Sequence, residues 1–160
     1  MTFKTFNLWL ASILVGLLLG VFGAAAAHYF RVGILFIEKS SQNYFQNNIS
    51  FIFFFCSLSI AAILISLIKK IAKVKEWHGP ADTIFAAHRI DNELDVKAGI
   101  ASTLVAFISA GGGASVGQYG PLVHFGATLG ALIKGKLKLP ITTDVFLGGG
   151  VAAAISAGFN

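Results

Sequence analysis

The stretch "GGGASVGQYGPLVHFG", residues 111–126, sets three consecutive glycines and a Gly-Gln-Tyr-Gly-Pro turn into an otherwise apolar chain. Glycine lacks the Cβ that keeps other groups away from the backbone, so such a stretch permits close approach. Three kinds of partner fit it. The first is a nucleotide phosphate, for which Gly111, Gly113 and Gly117 make a loose G-x-G-x-x-x-G. No βαβ pattern surrounds these glycines, and no Gly-Lys-Ser/Thr follows as a Walker loop requires. The second is another helix, since Gly126-x-x-x-Gly130 and Gly148 to Gly150 are small-residue notches where helices approach closely. The third is an anion. A helix N-terminus carries unpaired N–H groups and roughly half a positive elementary charge. Glycines just before it expose those N–H groups, and Pro121 suits a first helical turn.

Other chemistry-bearing side chains are sparse. His78, His88 and His124 lack metal-ligand spacing and Cys56 is alone, so neither a metal site nor an intrachain disulfide is expected. No Ser/His/Asp or paired-carboxylate constellation stands in a plausible setting, so no enzymatic activity and no cofactor is expected. Asp82 and Asp144 read as helix-start caps. His28 and His124 read as packing or interfacial residues, although an ionisable group at membrane depth is a functional candidate by default. His78 has two readings: it caps a turn or faces water, or it donates to an anion.

The elements that must hold these residues are membrane segments. Of the 160 residues 56% are hydrophobic and only 12% charged, with a mean hydropathy of +0.78. A soluble domain carries about 25% charged residues, so the solvent for this surface is lipid. The net charge of +5 is explained by membrane orientation and does not call for nucleic acid. Leu8 to Phe30 has no formal charge and is long enough to span a bilayer. Spans are expected at about 8–37, 49–71, 97–110, 121–134 and 144–159, with a polar loop, "EKSSQNYFQNN", at 38–48. Lys69 and Lys70 at the end of the second span, with Lys73 and Lys75 just beyond it, place that end in the cytoplasm, together with the N-terminus and Lys4. "HGPADTIFAAH" reads as a short helix starting just after Gly79-Pro80 that dips into the membrane. Short apolar segments broken by Gly and Pro are the sequence pointer to an ion site in a transporter.

"GQYGPLVHFGATLG" resembles the "G-[KR]-E-G-P-x-V-x-x-G-x-x-x-G" signature of the CLC chloride channels and proton/chloride antiporters. "SAGGGASV" and "GGGVAAAISAGFN" fit that family's flanking segments, and "HGPADTIFAAH" sits where its "G-S-G-I-P-E" loop precedes a short helix. The resemblance implies an all-α membrane fold of long tilted and short re-entrant helices. Two inverted halves form one pore, two subunits a homodimer, and several helix N-termini meet at a central anion. Residues 1–160 resemble the first half only, so the chain is expected to be a fragment or a truncated reading frame. The implied setting is a multi-pass protein of a bacterial-type inner membrane, with chloride or another small anion and the bilayer as partners. The implied anion-binding residues are Gly117, Gln118, Tyr119, Gly120 and Pro121 from one segment and His78, Gly79 and Pro80 from the other.

Two departures from the signature bear on mechanism. The family's gating glutamate aligns with Tyr119 and the basic residue beside it with Gln118. A phenol is uncharged at neutral pH and cannot act as a carboxylate gate. Either Tyr119 donates its O–H to the anion or it wedges between helices. The family's anion-facing serine aligns, within a residue, with Trp77 or His78. The expected function is passive, channel-like chloride transport; the alternative is a non-transporting membrane remnant or structural partner subunit.

Overall fold

The computed structural model of the chain describes residues 3–45, 50–91, 93–114, 117, 119–137 and 139–159. Among these residues there are six helices and no strand: α1 (Phe3–Phe45), α2 (Ser50–Ala72), α3 (Pro80–His88), α4 (Val96–Gly111), α5 (Tyr119–Leu137) and α6 (Thr143–Gly158). This is the all-α architecture expected. A backbone in lipid must satisfy its N–H and C=O groups internally, and a helix does so within one segment.

Helix lengths divide into two classes. Leu8–Phe36 of α1 and Phe54–Ala72 of α2 are long and apolar enough to cross a bilayer. Helices α4 and α6 have 16 residues each, about 24 Å at 1.5 Å per residue and short of the roughly 30 Å hydrocarbon core. The end of α1 differs from expectation. Helix α1 continues to Phe45, through eight residues expected as a polar loop. No Gly or Pro interrupts residues 38–45, and Glu, Lys and Gln sustain a helix as well in water as apolar residues do in lipid. Large side chains on α1 and α2, among them Trp9, Leu17, Phe22, Ile52, Ile63 and Ile71, point outward. Such an exterior suits lipid. The hydroxyls of Ser59 and Ser66 on α2 donate to carbonyls one turn back in the same helix, at 2.8 and 2.9 Å, which satisfies a polar group without a partner chain.

The tightest packing joins α5 to α6. A Cβ added to Gly126 would lie 2.7 Å from the Ala154 Cβ; one on Gly130 would lie 2.7 Å from the Phe146 carbonyl carbon. Position 126 faces 150 and 130 faces 146, so the two helices run antiparallel with backbones in contact. On its other side α6 meets α1, where Gly23 leaves no room for a side chain beside Ala153 and Gly149 abuts Leu19. These pairs advance together along both chains, so α1 and α6 run parallel. Phe146 is enclosed against α1, and Leu147 against α5 and Ala86 of α3. Gly148, also expected as a notch, meets no atom within 4 Å. It is two residues from Gly150, which is a rotation of about 200°, and therefore faces away from α5.

The glycine triplet ends α4. Gly111 is its last residue, Gly112 caps it, and a side chain on Gly112 would strike Ala61 of α2. Gly113 has φ +97°, a conformation that favours glycine. The Ser57 hydroxyl of α2 donates to the Gly112 carbonyl at 3.0 Å and ties the two helices together there. At its other end α4 is capped by Asp95, whose carboxylate accepts from the Lys97 and Ala98 N–H groups at 2.9 and 3.0 Å. The short α5–α6 connection is held by Lys134, whose Nζ donates to the Leu139 and Ile141 carbonyls at 2.6 and 2.5 Å.

The lysines in the last turn of α2 and just beyond it set an expectation about orientation. In intact cells, Ser41→Cys reacts with a membrane-impermeant maleimide from outside, and Lys73→Cys reacts only once the cytoplasmic face is opened. The opposite labelling pattern inverts the topology.

Candidate functional site at two helix starts

Helix α3 begins where the sequence places it. Gly79 is its N-cap and Pro80 its first residue, a position where proline's missing N–H breaks no bond. Its amides are largely satisfied within the turn. The Asp82 and Thr83 N–H groups donate to the Gly79 carbonyl at 3.1 and 3.3 Å, and the Gly79 N–H donates to Asp82 Oδ2 at 2.7 Å. Asp82 is thus a cap from the third helical position, and its negative charge opposes the positive end of the helix. Asp144 lies in the first turn of α6, whose N-cap is Thr142. The His78 N–H donates to the hydroxyl of Ser102 at 2.8 Å, which anchors the approach to α3 onto α4.

Helix α5 begins at Tyr119, two residues before the expected Pro121, so Gly120 and Pro121 are its second and third residues. First-turn amides have no partner inside a helix, and Pro121 has no N–H to satisfy. Gly120 brings this start against α3: a Cβ there would lie 3.6 Å from the Pro80 ring. The two Gly-Pro helix starts, 41 positions apart in sequence, are therefore neighbours.

The expected site residues divide accordingly. His78, Gly79 and Pro80 lie at the α3 start, and Gly120 and Pro121 at the adjoining α5 start. Gly117 is exposed just before α5, and Gln118 lies outside the described residues. Tyr119 is half-exposed and its ring stacks on Phe159, with centroids 4.5 Å apart and planes 12° apart. The phenol thus lies against the end of α6.

Histidine 124 stands out beside these. It lies one turn inside α5 and is 1% exposed. Its Nδ1 is 2.8 Å from the hydroxyl of Thr83 on α3, which is also buried. Its ring meets that of His78 edge to face at 6.2 Å between centroids. His78 Nδ1 and His124 Nε2 are both buried without a hydrogen-bond partner in the protein. In the sequence His124 is one polar residue inside an apolar helix. Its partners are 41 and 46 positions away, and no local pattern marks them. His28 and His88 are exposed; the His88 ring is bonded to its own helix at the Ile84 carbonyl. Among the described residues no three His, Cys, Asp or Glu side chains come together as metal ligands.

Comparison with curated proteins and with solved structures gives no match. The family model described as voltage gated chloride channel matches residues 60–160, from the middle of α2 to the end of the chain. Both Gly-Pro helix starts, the two histidines and the α5–α6 contact lie inside that match. The matched segment is well over half of the chain, and the chain belongs to the voltage gated chloride channel family.

Proposed function

We propose that this chain contributes the start of α5 to an anion path through the membrane and that it passes chloride without exchanging protons. Chloride and anion transport is the function of the family to which the chain belongs. The observation that carries the finer reading is the abutment of the α5 start on the α3 start through Gly120 and Pro80. The Asp82 carboxylate offsets the positive end of α3 there, so the adjoining start of α5 supplies most of the field that holds an anion without a full cation in the membrane. The two ends contribute unequally. Gly79 and Asp82 engage most of the α3 amides, so the N–H groups of the first turn of α5 are the principal backbone donors.

Passive conduction follows from what stands at the head of α5. Tyr119 offers a phenol and not a carboxylate to compete with chloride, and its ring is packed on Phe159. The reading is tested by reconstituting the full chain in liposomes loaded with potassium chloride. Addition of valinomycin, which lets potassium follow, releases chloride faster than from protein-free liposomes. Folded, reconstituted protein that releases none contradicts the proposal and supports a structural subunit instead.

A further inference from the structure

We infer that His124 is a side-chain ligand of the bound anion, donating through Nε2–H, and that Thr83 is the positioning residue that fixes this tautomer. The inference rests on the reading of the α3–α5 junction as an anion site. Thr83 Oγ1 and His124 Nδ1 are 2.8 Å apart and buried, so one donates to the other. The usual acceptor for a helical threonine hydroxyl is the carbonyl four residues back. For Thr83 that is the Gly79 carbonyl, which already accepts from the Asp82 and Thr83 N–H groups. If Nδ1–H donated to Thr83, the hydroxyl proton and the Nε2 lone pair would both lack partners. If the hydroxyl donates to Nδ1, a single group is left over, the Nε2–H. The second arrangement leaves fewer buried groups unsatisfied and is therefore favoured.

A buried N–H without an acceptor calls for one from outside the chain. Its setting selects an anion. The ring packs edge to face on His78, the residue that leads into α3, and His78 Nδ1 is a second buried nitrogen without a partner. The Asp82 charge and the Gly79 backbone both act on the His124 ring, but neither is hydrogen-bonded to Nε2, and Asp82 Oδ2 accepts from the Gly79 N–H. With no three metal-ligating side chains together among the described residues, a cation finds too few ligands here. Chloride accepts several N–H donors at once. The imidazole N–H adds a directional contact to the diffuse field of the helix ends.

The test is chloride titration of the detergent-purified full chain by calorimetry in a gluconate buffer. His124→Leu weakens chloride binding about tenfold or more, the effect of losing one hydrogen bond to a charged acceptor. His124→Gln, which keeps an N–H donor at similar reach, stays within about threefold of the wild-type protein. Thr83→Val, which frees the tautomer, weakens binding several-fold, whereas Thr83→Ser does not. Bromide soaked into crystals of the wild-type protein gives an anomalous peak within contact of Nε2. Wild-type protein that binds chloride while the Leu and Val variants match it overturns the role of His124 alone. A water in place of bromide at Nε2, or a zinc ion bound through His124 in preference to chloride, also overturns it. Wild-type protein that neither binds nor moves chloride overturns the anion site itself. If the Leu variant does not fold, the Thr83→Val and Thr83→Ser pair still decides.

Discussion

Gly150→Ala lowers the stability of the protein by about 3 kcal/mol, while Gly148→Ala, two residues earlier on the same helix, raises it by up to about 1 kcal/mol. The opposite signs follow from what one methyl group meets. At position 150 it runs into the carbonyl group of Gly126 on α5, with the carbonyl carbon at 2.7 Å. Backbone cannot rotate aside as a side chain does, so α5 and α6 must separate, and the adjacent contact of Gly130 with Phe146 opens with them. At position 148 the methyl group has no atom within 4 Å. The substitution then reduces only the freedom of the unfolded chain. Thermal unfolding of the detergent-solubilised variants, followed by helical circular dichroism, reads both effects. A fall of similar size in both variants contradicts the α5–α6 register described above.

Tyr119→Glu turns an open anion path into a pH-dependent one. The new carboxylate stands at the first residue of α5, where a negative charge gains about 0.3–1 kcal/mol from the helix end, and up to about 2 kcal/mol when partly buried. In the proposed path it occupies the place offered to chloride. Chloride efflux from liposomes at neutral pH therefore falls about tenfold, equivalent to about 1.4 kcal/mol. The efflux recovers as pH falls through the carboxylate range and the side chain becomes neutral. Loss of the stacking on Phe159 adds a cost of about 0.5–1.5 kcal/mol to folding. Tyr119→Phe keeps the stacking and should conduct as the wild-type protein does. Efflux by the glutamate variant that is unchanged at every pH would remove Tyr119 from the path.

Much of the architecture is legible in the sequence because its causes are local. The apolar runs of α1 and α2, the start of α3 after Gly79-Pro80, and the close-packing role of Gly126 and Gly130 are all set by residues within a turn or two. Where the causes are distant, the sequence is silent. Gly148 and Gly150 are indistinguishable by type. Only the placement of α5 separates the exposed one from the buried one. Tyr119 is seated by Phe159, forty residues on, and His124 is oriented by Thr83 and His78 from another helix. The end of α1 is illegible for another reason. Polar residues that mark the edge of a membrane do not mark the edge of a helix, so α1 runs through Glu38 to Phe45 unbroken.

Recording chloride and protons together separates passive conduction from proton exchange. Full-length wild-type protein is reconstituted in liposomes with a chloride gradient and a valinomycin shunt, and external chloride and pH are followed at once. Chloride release with no accompanying pH change is expected, because Tyr119 at the head of α5 is a phenol and not a carboxylate that takes up and gives up a proton. Uphill proton movement in fixed proportion to the chloride released would contradict it.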